Sequence, residues 1–359
     1  MQKMGSSNHN VTQAILSWYH QNGRSHLPWR KKISAYRVWI AEIMLQQTQV
    51  ATVIPYFQRF MQTYPTLKKL ANAPLPDILH LWSGLGYYTR ARCLYQTAQI
   101  IANDYHCEFP NDRQALERLP GIGRSTAAAI AAIAFNKPET ILDGNVKRIL
   151  MRVHALEGNV YDRKVIEQLW SLAEQYTPKQ NCDDYTQAIM DLGATLCTPK
   201  NPQCTQCPIP KYCRAFKSNS VDQYPAAKPR TVIPKRECIW LVIMNKKGQI
   251  LLKQQKDTGI WAQLWCLPEC TAKDNIKAWL KTHLNLTVGP VKHLAAFSHR
   301  FTHLQLNITP IIILTTQTRI VKQNDWKLIW YQSEQQKLAM PTPVKRLLTH
   351  TLQNTTSQS

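Results

Sequence analysis

Residues 191–216 read DLGATLCTPKNPQCTQCPIPKYCRAF and carry four cysteines in the order C-x6-C-x2-C-x5-C. Thiolates are soft ligands that suit either tetrahedral zinc or an iron–sulfur cluster. Structural zinc usually takes two short cysteine pairs and this stretch has one, which favours a [4Fe–4S] cluster. Two disulfides are the alternative, which we disfavour because we expect an intracellular chain with reduced thiols. The predicted ligands are Cys197, Cys204, Cys207 and Cys213.

A second motif lies upstream, where residues 119–128 read LPGIGRSTAA. Gly121 and Gly123 precede a run of helix formers and predict a tight hairpin between two helices. The amides at the second helix's N-terminus would then face a phosphate, the helix–hairpin–helix manner of binding a DNA backbone. An ordinary glycine turn is the alternative. The cysteine array farther along the chain favours the DNA-binding interpretation.

The charge balance agrees with a nucleic-acid partner. Lys and Arg number 44 against 22 Asp and Glu, a net charge of +22. Residues 1–217 hold 25 basic and 15 acidic side chains and the remainder 19 and 7, so both halves are cationic. No apolar run approaches the ~18 residues of a spanning helix, and the N-terminus has no signal-peptide core. We therefore expect a soluble, intracellular protein with no membrane partner. We also expect a monomer, located in the bacterial cytosol or nucleoid.

Hydrophobic periodicity divides the chain into a helical part and a mixed part. Residues 1–217 carry apolar side chains at helical spacing and predict an all-α domain. Residues 218–236 are polar, basic and proline-bearing and predict a linker. Residues 237–350 alternate β-rich runs with amphipathic stretches and predict an α+β domain. The polar residues 351–359 predict a disordered tail.

Two carboxylates in the helical part are candidates for catalysis. Glu42 lies in the apolar stretch RVWIAEIMLQQTQV, where burial would raise its pKa toward neutrality; a surface ion pair is the alternative. Asp143 lies in ILDGNVKRIL directly before a helix, where simple N-capping is the alternative. Cleavage of an N-glycosidic bond needs a protonated leaving base and a stabilised oxocarbenium-like sugar. One neutral and one ionised carboxyl meet both needs.

Four motifs together resemble the adenine DNA glycosylase (MutY) family: AEIMLQQTQV, LPGIGRSTAAAI, LDGNVKRIL and the cysteine array. The resemblance runs from about residue 11 to about residue 350. It implies a multidomain protein with an all-α helix–hairpin–helix glycosylase domain, formed by a six-helix subdomain and a [4Fe–4S] module. A C-terminal α+β Nudix-like domain would recognise 8-oxoguanine. The implied reaction is base excision repair, the hydrolytic removal of adenine mispaired with 8-oxoguanine or guanine in double-stranded DNA.

The resemblance implies roles for the carboxylates and the hairpin. Glu42 would protonate adenine at N7, and Asp143 would stabilise the sugar cation while it caps the helix. Gly121, Gly123 and Ser125 would lie against the DNA backbone. Endonuclease III-type relatives carry a lysine where Ser125 stands, and a hydroxyl cannot form their Schiff base. The resemblance therefore implies a monofunctional glycosylase.

Four further residues match positions that handle the extruded base in the family. Trp29 and Arg30 match the LPWR segment that shapes the adenine pocket. Adenine must leave the base stack to reach that pocket, so the gap has to be filled. Gln47 and Tyr87 match the residues that form this wedge.

The C-terminal part carries the remaining predicted site. Its segment GIWAQLWCLPE resembles the recognition domain of the family, and the glutamate-rich box of metal-dependent Nudix hydrolases is missing after Pro268. Phe301, Thr302 and His303 match the loop that contacts 8-oxoguanine, and residues 297–299 are the alternative match. Two rival functions stay open at this point. One is an endonuclease III-like lyase on damaged pyrimidines, and the other is a non-catalytic DNA-binding module.

Overall fold

The computed structural model describes residues 2–227, 232–287, 289–318 and 325–356. The chain divides into two compact units. The first unit comprises Met1–Asn72 and Arg92–Pro229, and the second comprises Ala73–Ala91 and Arg230–Ser359. The short segment 73–91 therefore packs with the C-terminal unit, although its sequence neighbours on both sides belong to the first.

The first unit is helical, as the sequence predicts. Short 3-10 turns at Pro28–Arg30, Cys204–Gln206 and Pro210–Tyr212 lie between its helices, and a fourth at Val221–Gln223 follows the last one. The helices of residues 2–217, in chain order, are α1 (Gln2–Asn22), α2 (Ala35–Leu45), α3 (Val50–Thr63), α4 (Leu67–Ala71), α5 (Leu75–Leu81), α6 (Thr89–Asp104), α7 (Arg113–Glu117), α8 (Arg124–Phe135), α9 (Gly144–His154), α10 (Arg163–Tyr176), α11 (Cys182–Thr195) and α12 (Arg214–Lys217). Within the described ranges all of them belong wholly or mainly to the first unit except α5, which belongs to the second.

Helices α2, α8 and α11 form the centre of the first unit. Helix α2 begins after Ser34, whose hydroxyl accepts a hydrogen bond from the Arg37 amide at 3.3 Å. Helix α8 is rich in alanine and buried along most of its length, so its backbone can approach α2 and α11 closely. Trp39 and Ile40 on α2 are fully buried, and each such side chain contributes about 1.5–3 kcal/mol by leaving water.

The second unit is built on a sheet of eight strands, counted over the described residues. Its remaining elements are β1 (Lys235–Asn245), β2 (Ile250–Gln254), β3 (Trp265–Cys266), β4 (Glu269–Cys270), α13 (Ile276–Leu284), β5 (Val291–His293), β6 (Phe297–Arg300), β7 (Gln305–Thr315), β8 (Leu328–Tyr331), a 3-10 turn (Glu334–Gln336) and α14 (Thr342–Thr356). Five of the strands lie in the order β3-β2-β1-β7-β5, while β4 pairs with β1, β6 with β7 and β8 with β2. Strands β1 and β7 run parallel and the other pairs are antiparallel.

Strand β1 is buried on both faces, which explains its unbroken apolar run. Trp240 and Val242 pack in one core cluster with residues of α14. Leu241 and Ile243 pack in a second cluster with residues of α13. Because successive side chains of a strand point to opposite faces, a helix covers each face of the sheet. The predicted α+β fold of this part is thereby confirmed.

Two segment boundaries differ from the predicted ones. Strand β1 already begins at Lys235, within the predicted linker 218–236, and α14 continues to Thr356, within the predicted tail. Residues 228–231 of that linker and 357–359 of that tail lie outside the described residues. In the part of the chain that the structure describes, no helix is long and apolar enough to span a bilayer.

Candidate active site

The first unit encloses a cavity of about 500 Å³. Its walls come from the 3-10 turn at Pro28–Arg30 and from α2, α8, α11 and the start of α9. These elements are far apart in sequence, so the site exists only once the helices have packed. The cavity brings together six of the predicted residues, namely Trp29, Arg30, Glu42, Gln47, Ser125 and Asp143.

Glu42 projects from α2 into this cavity, and its neighbours on the helix, Ala41 and Ile43, are buried apolar residues. Burial, and to a smaller extent the negative charge of Asp143, raise the pKa of its carboxyl to about 7, and Arg30 opposes the shift. Near neutral pH the side chain therefore exists in both protonation states. This is the property that a general acid needs.

Asp143 is the N-cap residue of α9. Its Oδ1 accepts hydrogen bonds from the amides of Asn145 and Val146 at 2.9 and 2.8 Å, and its Oδ2 accepts one from Asn145 Nδ2 at 3.0 Å. Burial raises the pKa of Asp143, while these hydrogen bonds and Arg148 act in the opposite direction. The side chain thus caps a helix and faces the cavity at the same time.

Arg30 is fixed by a buried ion pair that the sequence reasoning missed. Its Nη1 and Nη2 donate to the two carboxylate oxygens of Asp191 at 2.6 and 2.7 Å. Arg24 also donates to Asp191, through its amide at 2.9 Å and its Nε at 2.8 Å. Burial alone would raise the pKa of Asp191, but its bonds to the arginines outweigh burial and lower it. Such bidentate pairing orients the guanidinium of Arg30 at the cavity.

One sequence signal could have found Asp191. It lies on α11 three residues after Ala188, on the same helix face, and directly before Leu192, and both of these residues are fully buried. A carboxylate on the apolar face of a helix requires a cationic partner in the folded protein. Sequence spacing does not show that this partner comes from residues 24 and 30.

Two further polar residues of the cavity wall were also missed. Gln187 on α11 is buried, and its Nε2 donates within the helix to the Asp183 carbonyl at 3.4 Å. Asn145 lines the cavity beside Asp143. A Cβ on Gly193 would stand 2.5 Å from the Asn145 Cβ, so only glycine permits the observed approach of α11 to α9.

Arg148 links the cavity to the cysteine loop. Its Nη2 donates to Asn145 Oδ1 at 2.9 Å and to the Gly193 carbonyl at 2.6 Å. Its Nε donates to the Cys197 carbonyl at 2.6 Å. Because Asn145 in turn donates to Asp143, a continuous set of hydrogen bonds joins the capping carboxylate to the first of the four predicted ligands.

The four predicted ligand cysteines line one small second cavity of about 30 Å³. The buried Arg152 stands beside it, with Nη1 3.4 Å from Cys197 Sγ and 2.8 Å from the Thr198 carbonyl. The ten cysteines all lie within the described ranges, and none of them forms a disulfide there. No three His, Cys, Asp or Glu side chains in the described ranges are arranged around a single metal ion. Four soft thiols around one space, next to a buried cation, nevertheless fit an anionic iron–sulfur cluster.

The predicted hairpin lies between α7 and α8. Gly121 adopts a left-handed φ of +77°, and a Cβ there would stand 2.7 Å from the Cys93 Cβ. Gly123 is the N-cap of α8 and has open space around it, so the first amides of the helix are accessible. Ser125 differs from the two glycines. It lines the cavity, and its Oγ accepts a hydrogen bond from the Leu142 amide at 3.1 Å.

The remaining predicted residues belong to the second unit. Tyr87 is 45% exposed and has a φ of 49°. Phe301, Thr302 and His303 form the turn between β6 and β7, where Phe301 N donates to the Leu304 carbonyl at 2.7 Å. Thr302 and His303 are exposed. The alternative residues 297–299 are part of β6 itself.

Comparison with known proteins places these features among DNA repair enzymes. Residues 40–175 match the HhH-GPD superfamily of base excision DNA repair proteins, and residues 239–350 match the NUDIX domain. The adenine DNA glycosylase of Buchnera aphidicola subsp. Baizongia pistaciae (strain Bp) is 40% identical over 94% of this chain and 95% of its own length. The adenine DNA glycosylase of Homo sapiens is 36% identical, over 82% of this chain and 65% of its own length. A thermostable thymine-DNA glycosylase of known structure is 29% identical with a TM-score of 0.53, over 59% of this chain and 98% of its own.

Proposed function

Because the chain belongs to the adenine DNA glycosylase family, and is thus a DNA glycosylase of base excision repair, we propose that it removes adenine mispaired with 8-oxoguanine or guanine. The observation that carries the proposal is the pair of carboxylates in one cavity. Glu42 has a pKa raised to about 7, and Asp143 is held by three hydrogen bonds. The first environment suits Glu42 to give a proton, and the hydrogen bonds that Asp143 accepts favour its charged form against the effect of burial.

The proposed reaction assigns one step to each carboxyl. Glu42 in its protonated form gives its proton to N7 of the extruded adenine. The C1′–N9 bond then breaks, its electron pair leaves with the base, and Asp143 faces the positive charge that develops on the sugar. A water adds at C1′ and loses a proton, which leaves an abasic site. The hydrogen bonds from Asn145 and Val146 hold Asp143 in place throughout.

The cavity walls position the base. Trp29 packs edge-on against Phe57 with ring centroids 5.6 Å apart, which fixes one aromatic wall. Arg30 cannot swing away, because Asp191 binds both of its terminal nitrogens. A charge fixed before the substrate arrives needs no reorganisation during the reaction.

The same cavity supports a monofunctional mechanism. Schiff-base lyases need an amine that can attack the sugar. The position that corresponds to that lysine is Ser125, and no lysine is among the described residues that line the cavity. The Ser125 hydroxyl instead accepts a hydrogen bond from the Leu142 amide, next to Asp143 in the chain. We expect strand breaks only when alkali cleaves the abasic product.

The four cysteines of residues 197–213 form the proposed cofactor site. Cys197, Cys204, Cys207 and Cys213 would hold a [4Fe–4S] cluster. A bound cluster supplies structural cross-linking rather than electrons, since hydrolysis transfers none.

Contacts with DNA are assigned by unit. In the first unit the hairpin glycines would contact the DNA backbone, and Gln47 would take part in the wedge. Tyr87 would be the second wedge residue. Phe301, Thr302 and His303 would contact 8-oxoguanine in a recognition domain that spans residues 237–350. We expect the enzyme to act as a monomer in the cytosol or nucleoid, where its DNA substrate lies.

The test uses duplexes that differ only in the lesion. Adenine opposite 8-oxoguanine, adenine opposite guanine, adenine opposite thymine and a thymine glycol duplex are incubated with excess enzyme, and each product is analysed before and after alkali. We expect adenine release from both mispairs, with breaks only after alkali. Cleavage without alkali at thymine glycol would instead identify a lyase. Binding without any excision would identify a non-catalytic DNA-binding module.

A further inference from the structure

The loop that carries Tyr87 has an unusual backbone. Gly84, Gly86 and Tyr87 have φ values of 100°, 77° and 49°, all in the left-handed region. Glycine adopts that region freely, whereas tyrosine does so only when its surroundings hold it there. Tyr87 is nevertheless 45% exposed, so burial of its side chain does not supply the restraint. The restraint has to come from the residues around it.

Part of the restraint lies within the loop. The Gly86 carbonyl, directly before Tyr87, accepts hydrogen bonds from Trp82 Nε1 at 3.1 Å and from Arg90 Nη2 at 3.2 Å. The Tyr87 carbonyl accepts one from the Arg90 amide at 2.9 Å. The Arg90 guanidinium also lies 5.3 Å from the centre of the Tyr87 ring. The backbone on both sides of Tyr87 is thereby fixed to neighbouring residues.

The other part comes from the far end of the sequence. The Met340 carbonyl accepts a hydrogen bond from Ser83 Oγ at 2.7 Å and a second from Tyr88 OH at 2.9 Å. Ser83 and Tyr88 flank Tyr87 on either side in the chain. One carbonyl oxygen, more than 250 residues away in sequence, therefore ties together both ends of the loop.

The segment that supplies this carbonyl is itself held on the opposite side. The Ala339 carbonyl accepts a hydrogen bond from the Trp265 amide of β3 at 2.9 Å. The Leu338 carbonyl lies 3.2 Å from His80 Nδ1 at the end of α5. The Leu338 and Met340 carbonyls therefore face α5 and the Tyr87 loop, while the Ala339 carbonyl between them faces the sheet. The segment thus bridges the sheet and the Tyr87 loop.

The Met340 side chain anchors this bridge in the core of the second unit. It is buried, in the same cluster as Val344 and Leu348 of α14 and Trp240 of β1. Buried side chains in a close-packed core have little freedom to move. The Met340 carbonyl, which accepts hydrogen bonds from both hydroxyl groups, is therefore held at a fixed position in the second unit.

We propose that Ser83, Tyr88 and the Met340 carbonyl position Tyr87 for insertion into the base stack. The inference rests on the proposed function, in which Tyr87 helps to fill the gap left by the extruded adenine. Ser83 and Tyr88 are positioning residues, since they act through Tyr87. The second unit then has two roles. It contacts the base that pairs with adenine, and it supports extrusion of adenine whatever that base is.

Positioning of Tyr87 predicts a different pattern of excision rates from recognition of the base opposite adenine. Loss of the two hydroxyl groups should slow excision opposite 8-oxoguanine and opposite guanine by the same factor. Changes at Thr302 or His303 should instead alter the ratio of the two rates. Two hydrogen bonds to one carbonyl are removed, so we expect a fall of about tenfold on both mispairs.

The experiment is a double-mutant cycle on the full chain. The paired change Ser83→Ala with Tyr88→Phe is made in the wild type and in Tyr87→Ala, and single-turnover adenine release is measured on both mispairs. We expect the paired change to slow the wild type and to have no further effect in Tyr87→Ala. Equal slowing in both backgrounds, or no slowing in the wild type, overturns the inference.

A matched control separates positioning from lost stability. Tyr36 OH donates to the Tyr64 carbonyl at 2.6 Å in the first unit, so Tyr36→Phe removes a comparable buried hydrogen bond. Tyr36→Phe should lower the melting temperature, and its effect should be the same in the wild type and in Tyr87→Ala.

If the wild type releases no adenine, the proposed function is refuted. Positioning of Tyr87 can then still be tested by amide hydrogen exchange. Faster exchange at the Leu85 and Arg90 amides in the Ser83→Ala and Tyr88→Phe protein supports positioning, and unchanged exchange refutes it.

Discussion

Glu42→Gln tests the assignment of the general acid through two independent properties. The substitution keeps the size and shape of the side chain but removes its titration. A positioned general acid contributes about 10²- to 10⁴-fold to a rate, so we expect single-turnover adenine release to fall by that factor. In the wild type the rate should fall about tenfold per pH unit above about pH 7, because burial raises the pKa of Glu42 to about 7 and only the protonated form can act.

The same pKa shift has a consequence for stability. The carboxyl titrates at 4.5 when unperturbed and at about 7 in the folded protein. Because the folded state binds the proton more tightly, stability is highest below about pH 4.5 and is lost as pH rises through about 7. At 1.36 kcal/mol per pKa unit, the full loss is about 3 kcal/mol. Gln is neutral at every pH, so Glu42→Gln should gain about 3 kcal/mol over the wild type at pH 8 and only about 1 kcal/mol at pH 5.

The assay is urea unfolding of both proteins at the two pH values, beside the rate measurements. Glu167→Gln is the matched control, because Glu167 is 63% exposed and pairs with Arg163 on the surface of α10. The control should change neither the excision rate nor the pH dependence of stability. An equal stability difference at pH 5 and pH 8, or undiminished excision by Glu42→Gln, would refute the reasoning.

Three further substitutions test other parts of the site. Asp191→Asn should lower the free energy of unfolding by about 3–5 kcal/mol, because two arginines lose their buried counter-charge; an unchanged urea midpoint would contradict this. Gly121→Ala should cost about 1–3 kcal/mol and weaken DNA binding in fluorescence anisotropy, because its Cβ would stand 2.7 Å from the Cys93 Cβ and its φ is +77°. Gly248→Ala is the control, because Gly248 also has a positive φ of +71° but open space around it and no assigned DNA contact, so its affinity should change little. Cys207→Ser should lose iron and sulfide on chemical analysis and bind DNA more weakly, and a full iron content would argue against the proposed cluster.

The features that could be predicted from the sequence are those encoded over short stretches. Glu42 was found because its neighbours on α2 are apolar, and that same environment raises its pKa. The capping alternative for Asp143 was found because Asp precedes a helix, and the structure shows that capping does not remove it from the cavity. The helix and strand classes of the two parts followed from periodicity, which is also a local property.

The features that could not be predicted depend on long-range packing. Asp191 meets Arg24 and Arg30 across more than 160 residues, and no spacing rule links them. The segment 73–91 joins the second unit through side-chain bonds to backbone carbonyls. Every residue has such a carbonyl, so the sequence does not show that Met340 supplies the acceptor.

The most direct test of the central claim is the release of free adenine by the wild type and by Asp143→Asn. Both proteins are mixed in excess with a duplex that contains adenine opposite 8-oxoguanine, and the free base is quantified while binding is measured on the same duplex. We expect stoichiometric adenine from the wild type, and from Asp143→Asn tight binding with almost no release. Equal release by the two proteins would show that the bond is broken without this carboxylate, and the catalytic account would then be wrong.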